Sequence, residues 1–235
     1  MKRWKLRRVA RRSFGAMPHE GAPPVSLFYK LLYQFGMTPW EEDPLHGAAA
    51  EQISTLFARE ESCRKPSDWS VLDLGCGRGI WSIRLAERGW KVTGVDVIPK
   101  AITGARERAK AAGVDARFVE GDVTALRAAN VGSDFRFVLD FECFNHLNDV
   151  QRKAVGREVS AVAGQDATIL MLVWAPGRRG PFPPGASRSN IEAAFPGWKI
   201  INEDVYAARE SLPEFLKKTD LRFYRLGRAE SVHAH

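Results

Sequence analysis

The rhythm of apolar positions changes near Trp69. Upstream, Leu27, Phe28, Leu31, Leu32 and Phe35 recur at helical spacing until Gly36, and Ile53, Leu56 and Phe57 share one face of a second predicted helix that Pro66 and Ser67 end. Downstream, short apolar runs alternate with helical stretches, which is how a parallel sheet wrapped by helices is written. Strands are predicted at Ser70 to Leu74, Lys91 to Val95, Ala116 to Val119, Phe135 to Asp140, Thr168 to Trp174, Trp198 to Val205 and Leu221 to Leu226.

Several helix ends can be read directly. Pro99 suits the first turn of a helix that stops at Gly113. Asn148 with Gln151 has the spacing of a capping box, for a helix lined by Val155, Val159 and Val162 before Gly164. Ser189 to Glu192 has the same spacing, after a loop rich in Gly, Pro and Arg from Ala175 to Arg188. The pattern predicts an α/β, doubly wound fold divided into a basic tail and linker over 1–24, an N-terminal helical cap over 25–66 and one α/β domain over 67–235. At 235 residues there is room for one such domain and one site.

Charge changes this picture little. The formal net charge is +7, and Lys2, Arg3, Lys5, Arg7, Arg8, Arg11 and Arg12 account for all of it, so the body is neutral. A basic tail of this kind suits a solvated end, with weak contact to RNA or an anionic membrane surface as the other reading. Arg11-Arg12 is not followed by the apolar stretch an export signal needs, and no apolar run nears the ~18 residues of a membrane span. Cys63, Cys76 and Cys143 are odd in number and widely spaced, which fits neither a disulfide framework nor a zinc site. His19, His46, His233 and His235 share no ligand spacing, so no metal is expected. A cytoplasmic setting is the expectation.

The chemistry concentrates in Asp73-Leu74-Gly75-Cys76-Gly77-Arg78-Gly79, where a strand must turn sharply into a helix and glycines let backbone approach a ligand closely. A dinucleotide fingerprint starting at Gly75 would need glycine at position 80, where Ile80 stands. Asp73 would also work against a pyrophosphate on the helix start and suits a cation instead. The reading of a positively charged nucleoside over a phosphorylated one hangs on Asp73 facing the groove; an Asp73 turned into the interior would overturn it.

With this motif the chain resembles the class I S-adenosylmethionine-dependent methyltransferases, whose first motif reads [DE]-x-G-x-G-x-G. The resemblance implies a seven-stranded, mostly parallel sheet with one antiparallel strand near the C-terminus and S-adenosyl-L-methionine as cofactor. It implies a cofactor site at Asp73, Gly75, Cys76, Gly77 and Gly79, a ribose contact at Asp96 beside Val97, an adenine contact at Asp122 beside Val123, and a lining at Asp140 and Phe141. No [DN]-P-P-[FYW] run follows the fourth strand, which turns the expectation from nucleic acid toward a small, aromatic or lipophilic acceptor. Thr38-Pro39-Trp40 together with Asp140 and Cys143-Phe144 resembles the thiopurine-methyltransferase-like branch, in which the tryptophan, here Trp40, covers the cofactor. Glu142 stands where many relatives carry glycine.

Methyl transfer asks the protein to align a nucleophile, exclude water and, for a hydroxyl acceptor, take a proton. His146 is the first candidate base because an ordinary imidazole titrates near neutral pH, and Glu142 is the second. Tyr29, Tyr33, Trp174 and Phe182 are candidates for an apolar lid over the acceptor. An RNA methyltransferase using the basic tail, a non-catalytic cofactor-binding interaction protein and an NAD-dependent oxidoreductase stand as alternatives.

Overall fold

The computed structural model describes residues 47–177, 183–208 and 217–229. In chain order these form α1 (Gly47–Ser62), β1 (Ser70–Leu74), α2 (Ile80–Glu87), β2 (Lys91–Asp96), α3 (Pro99–Ala112), β3 (Ala116–Glu120), β4 (Phe135–Phe141), α4 (Asp149–Val162), β5 (Ala163–Trp174), α5 (Arg188–Ala194), β6 (Trp198–Val205) and β7 (Leu221–Arg228). The strands make one seven-stranded sheet in the order β3-β2-β1-β4-β5-β7-β6. All pairings are parallel except those of β7, which runs antiparallel to both β5 and β6.

Alternation along the strands sends successive side chains to opposite faces, and both faces are covered, so the strands read as continuous apolar runs. Leu72, Leu74, Val138, Ile169, Met171 and Val173 pack on one side with Val155, Val159 and Val162 of α4. Val71, Phe137, Leu139, Leu170 and Leu172 pack on the other with Ile53, Leu56 and Phe57 of α1 and Leu85 of α2. Phe57 meets Phe137 edge-on and stacks on Phe141, with ring centroids 6.4 and 6.2 Å apart.

The predicted caps hold at two places. Pro99 opens α3, which ends on Gly113 at φ 69°, and Asn148 with Gln151 forms a reciprocal capping box at α4. The box at Ser189 is corrected. The N-cap of α5 is Ser187, whose hydroxyl accepts from the N–H of Asn190 while Asn190 Oδ1 accepts from the N–H of Ser187. Glu192 pairs with Arg188 instead. α4 and α5 touch closely at Gly156, where a Cβ would lie 1.7 Å from the carbonyl oxygen of Ala194.

The strand order reverses between β1 and β4. In an open parallel sheet this is where connections leave to opposite faces and a crevice opens beyond the carboxyl ends of the strands. The acids predicted from the sequence all lie at those ends.

Candidate functional site

β1 enters the site through Asp73 and Leu74 and turns on Gly75, Gly77 and Gly79, all at positive φ (65°, 54° and 78°). Two of these glycines are required by contact as well as by dihedral. A Cβ on Gly75 would sit 2.8 Å from Cβ of Cys143, and one on Gly79 would sit 3.0 Å from the ring of Phe118. The bend therefore presses against the segment after β4. Cys76 points its thiol toward Gly94 of β2, where a Cβ would come within 2.9 Å of the sulfur. Burial, with Asp73 and Asp96 nearby, pushes that thiol's pKa upward and keeps it protonated.

Three backbone donors of the bend are already spent within the protein. The N–H of Cys76 donates to the carbonyl of Val95 at 3.0 Å, that of Gly77 to Oδ2 of Asp96 at 3.0 Å, and that of Gly79 to the carbonyl of Cys76 at 2.9 Å. A phosphate cradle needs such N–H groups unspent and aimed at the ligand. The bend gives a ligand close approach to backbone while offering these three donors to protein.

Asp73 departs from its expected place. Its carboxyl is 2% exposed, is turned inward and accepts from the hydroxyl of Ser82 in α2 at 2.6 Å. The reason is local, because α2 begins within the bend and carries Ser82 back over the end of β1. A direct contact between Asp73 and a cation in the groove is corrected accordingly; a preference for a cation then rests on the other acids, and the spent donors count only against a phosphate.

Asp96 ends β2, 8% exposed, with Oδ1 accepting from the N–H of Ile98 at 2.8 Å and Oδ2 from that of Gly77. These two backbone donors fix the orientation of its carboxylate at the end of β2. Val97 beside it is 43% exposed, a large apolar side chain standing in solvent at the rim. Asp122 is exposed and uses Oδ1 to accept from the N–H and hydroxyl of Thr124, which starts a short 3₁₀ turn over Val123–Ala125. Val123 is turned into the core with Leu126 and Val131, so its side chain does not line the groove as expected.

Near the end of β4, Asp140 is 1% exposed; Oδ1 accepts from the N–H of Phe144 at 3.0 Å, and Oδ2 is buried with no hydrogen-bond partner among the described residues. A buried carboxylate oxygen left unpaired is costly, and such an atom asks for a donor. Phe141, expected to line the cofactor, instead packs its ring between Phe57 and Trp81, with ring centroids 5.2 Å apart for the latter pair. Trp174 is corrected as a lid residue. It is 7% exposed in the cluster with Tyr206, Leu221 and Phe223, and its indole N–H donates to Oε1 of Glu142 at 3.1 Å. Trp40, Tyr29, Tyr33 and Phe182 lie outside the described residues.

The two candidate bases change order. Desolvation lowers the His146 pKa to about 4, which makes it a weak proton acceptor. Glu142 is pushed up to about 7 by burial, against the pull of the Trp174 hydrogen bond. Asp73 is also pushed up to about 7, by burial and then by Asp96, and Asp140 to about 7 by burial and then by Asp73 and Glu142.

The folded protein therefore holds protons that the unfolded chain has released above the ordinary carboxylate range, and that stability is lost as pH rises through 7. His146 acts in the opposite sense, but below its ordinary value of 6.5. Between pH 8 and 6.5 three raised carboxyls outweigh one imidazole, so the melting temperature of the ligand-free protein is expected to rise as pH falls across that range. A flat or falling melting temperature by scanning calorimetry would contradict the three raised values.

Residues 71–166 match the family model described as a methyltransferase domain. A ubiquinone biosynthesis O-methyltransferase of Rhizobium etli is 34% identical over 140 residues, 59% of this chain and 52% of that protein. The chain thus spans about half the length of such curated relatives. A magnesium protoporphyrin IX methyltransferase of Synechocystis superposes with a TM-score of 0.64 at 16% identity, covering 85% of this chain and 97% of that one. A 1,6-didemethyltoxoflavin-N1-methyltransferase of Burkholderia thailandensis superposes at 0.61 with 19% identity, covering 86% and 85%. At these identities the superpositions establish the shared fold.

Proposed function

We propose, for a chain that carries a class I methyltransferase domain across residues 71–166, that it binds S-adenosyl-L-methionine at the carboxyl ends of β1 to β4 and transfers its methyl group to a small molecule. The observation that carries this reading is the donor account of the glycine bend. The N–H of Gly77 is spent on Asp96, so the bend suits a nucleoside without phosphate, and with Asp73 turned inward the acids left at the strand ends for a ligand are Asp96, Asp122 and Asp140. The acids suit a cation, because each unit of positive charge brought among carboxylates relieves their mutual repulsion.

Asp96 would accept from the ribose hydroxyls, with Val97 offering apolar surface to the base and Asp122 an acceptor for its amino group. The unpartnered Oδ2 of Asp140 would take a donor from the amino-acid end. Bound there, the cofactor supplies an electrophilic methyl carbon. The protein's own task is to hold the acceptor in line with that carbon at roughly 3 Å and keep water out, an arrangement that can account for about 7–11 kcal/mol of barrier. A small acceptor is supported by the similar proteins, one named for ubiquinone biosynthesis and one for 1,6-didemethyltoxoflavin. Membership in the thiopurine-methyltransferase-like branch rests on Trp40 with Asp140 and Cys143-Phe144 and is part of the same proposal.

Calorimetric titration with S-adenosylmethionine, S-adenosylhomocysteine and NAD tests this reading. The two S-adenosyl compounds are expected to bind and NAD to leave the heat signal flat. Binding of NAD with no response to either S-adenosyl compound would overturn the proposal.

A further inference from the structure

We infer that Glu142 is the group that takes the acceptor's proton, and that the acceptor therefore presents a neutral hydroxyl, phenolic or enolic, to the methyl donor. The inference rests on the methyl-transfer reading above and adds to it the acceptor class and the base.

The first support is conformational. Glu142 sits at φ 76°, ψ −8°, between the end of β4 and a 3₁₀ turn over Cys143–His146. Glycine occupies this left-handed region without strain, whereas a glutamate there costs backbone energy and persists where the surroundings hold it. The side chain is not a loose surface group either. It is only partly exposed and is held by the indole N–H of Trp174. Trp174 is itself fixed to the same turn, since its backbone N–H donates to Oδ1 of buried Asn145 at 3.1 Å. A residue that costs backbone energy and is clamped by a tryptophan has a task that glycine cannot perform.

The second support is position. The next residue, Cys143, is the one that crowds Gly75 of the cofactor bend, and Asp140 two residues earlier is tied to the N–H of Phe144. Glu142 is thus the chain neighbour of the residue that closes on the glycine bend, with its carboxylate beside Trp174. Burial raises its pKa to about 7, the range in which a carboxylate is an effective base at neutral pH, while His146 moves the other way.

The third support is chemical. A thiolate or a neutral amine attacks a sulfonium carbon without first losing a proton to the protein, whereas a hydroxyl needs a base as its oxygen becomes bound to carbon. In the balanced step the acceptor's O–H proton passes to Glu142, the O–CH₃ bond forms as the S–CH₃ bond breaks, and the electron pair of that bond stays on sulfur. The protonated carboxyl afterwards returns the proton to water.

The test compares the full-length parent with Glu142→Gln and Glu142→Gly, using catechol, thiophenol and aniline as acceptor probes. Cofactor affinity is read by calorimetry and melting temperature by scanning calorimetry. The parent is expected to methylate catechol in preference to the other two, and both variants to lose about 10²–10⁴-fold in that rate while S-adenosylmethionine affinity changes less than about threefold. Glu142→Gln, whose amide oxygen can still accept from the Trp174 indole, is expected to melt close to the parent, so its loss of rate reports the carboxylate and not the fold. Catechol turnover retained by either variant, or no transfer from the parent to catechol, would overturn the assignment. A parent that binds no S-adenosylmethionine would instead overturn the reading on which it rests.

Discussion

Replacing Glu60 with alanine is expected to cost the fold about 3–5 kcal/mol, the usual penalty for removing one partner from a buried ion pair. Glu60 lies on α1, 1% exposed, and accepts from Arg225 Nε at 2.5 Å, Arg64 Nη1 at 2.7 Å and the Thr168 hydroxyl at 2.6 Å. Burial alone would raise its pKa, but Arg225 and Arg64 outweigh it and hold the carboxyl below its ordinary value. Alanine would leave two largely buried guanidinium groups without their carboxylate, since the Arg64 and Arg225 side chains are 5% and 11% exposed. The loss would reach the site, because this cluster pins α1 to β5 and β7, and α1 carries Phe57 onto Phe141 at the end of β4. Urea melts of parent and variant measure the difference. A loss below about 1 kcal/mol would show that α1 is not anchored through this cluster.

Replacing Asp96 with alanine is expected to weaken S-adenosylmethionine binding by about 3 kcal/mol, more than a hundredfold in Kd, with a smaller effect on folding. Hydrogen bonds to a charged group contribute roughly 1.5–3 kcal/mol each, and the ribose offers two hydroxyls. The substitution also strips the N–H groups of Gly77 and Ile98 of their acceptor and so loosens the bend itself. Asparagine is a sharper probe. It has one acceptor oxygen where aspartate has two, so one of the two backbone donors must face an NH₂ group. Its affinity should fall between parent and alanine. An unchanged Kd for Asp96→Ala would remove the ribose contact from the account.

The sheet was largely legible in the sequence, because both its faces are covered and apolar runs such as Val71-Leu72 and Phe137-Val138-Leu139 stand out against polar helices. β1 and β6 coincide with their predicted bounds. β5 does not. It begins at Ala163, directly on the end of α4, since the polar stretch before Ala167 extends the strand and Ala163 still pairs with Phe135 across an irregular register. Polar residues at a strand's open end carry no hydrophobic signal, so Gly164 was read only as a helix stop.

The site was legible in its residue types and less so in their directions. Spacing placed carboxylates at the ends of β1 to β4, which the strand bounds bear out. It could not show that Ser82 would draw Asp73 inward or that Asp140 would keep an unpaired oxygen, because both depend on how α2 and the turn after β4 fold back. The bond from Trp174 to Glu142 joins residues thirty-two apart on neighbouring strands and has no sequence signature. One hint existed, namely glutamate at a place where glycine is common in the family it resembles, and the positive φ gives that hint its physical meaning.

The central claim is that the crevice beside β1 receives a nucleoside that carries no phosphate, held by Asp96. It is tested most directly by a crystal structure of the protein grown with S-adenosylhomocysteine and NAD at equal concentration. The account predicts an S-adenosyl ligand with its ribose hydroxyls on the Asp96 carboxylate and its base beside Val97. A pyrophosphate lying on the backbone of Gly75 to Gly79, with Asp96 away from the ligand, would contradict it.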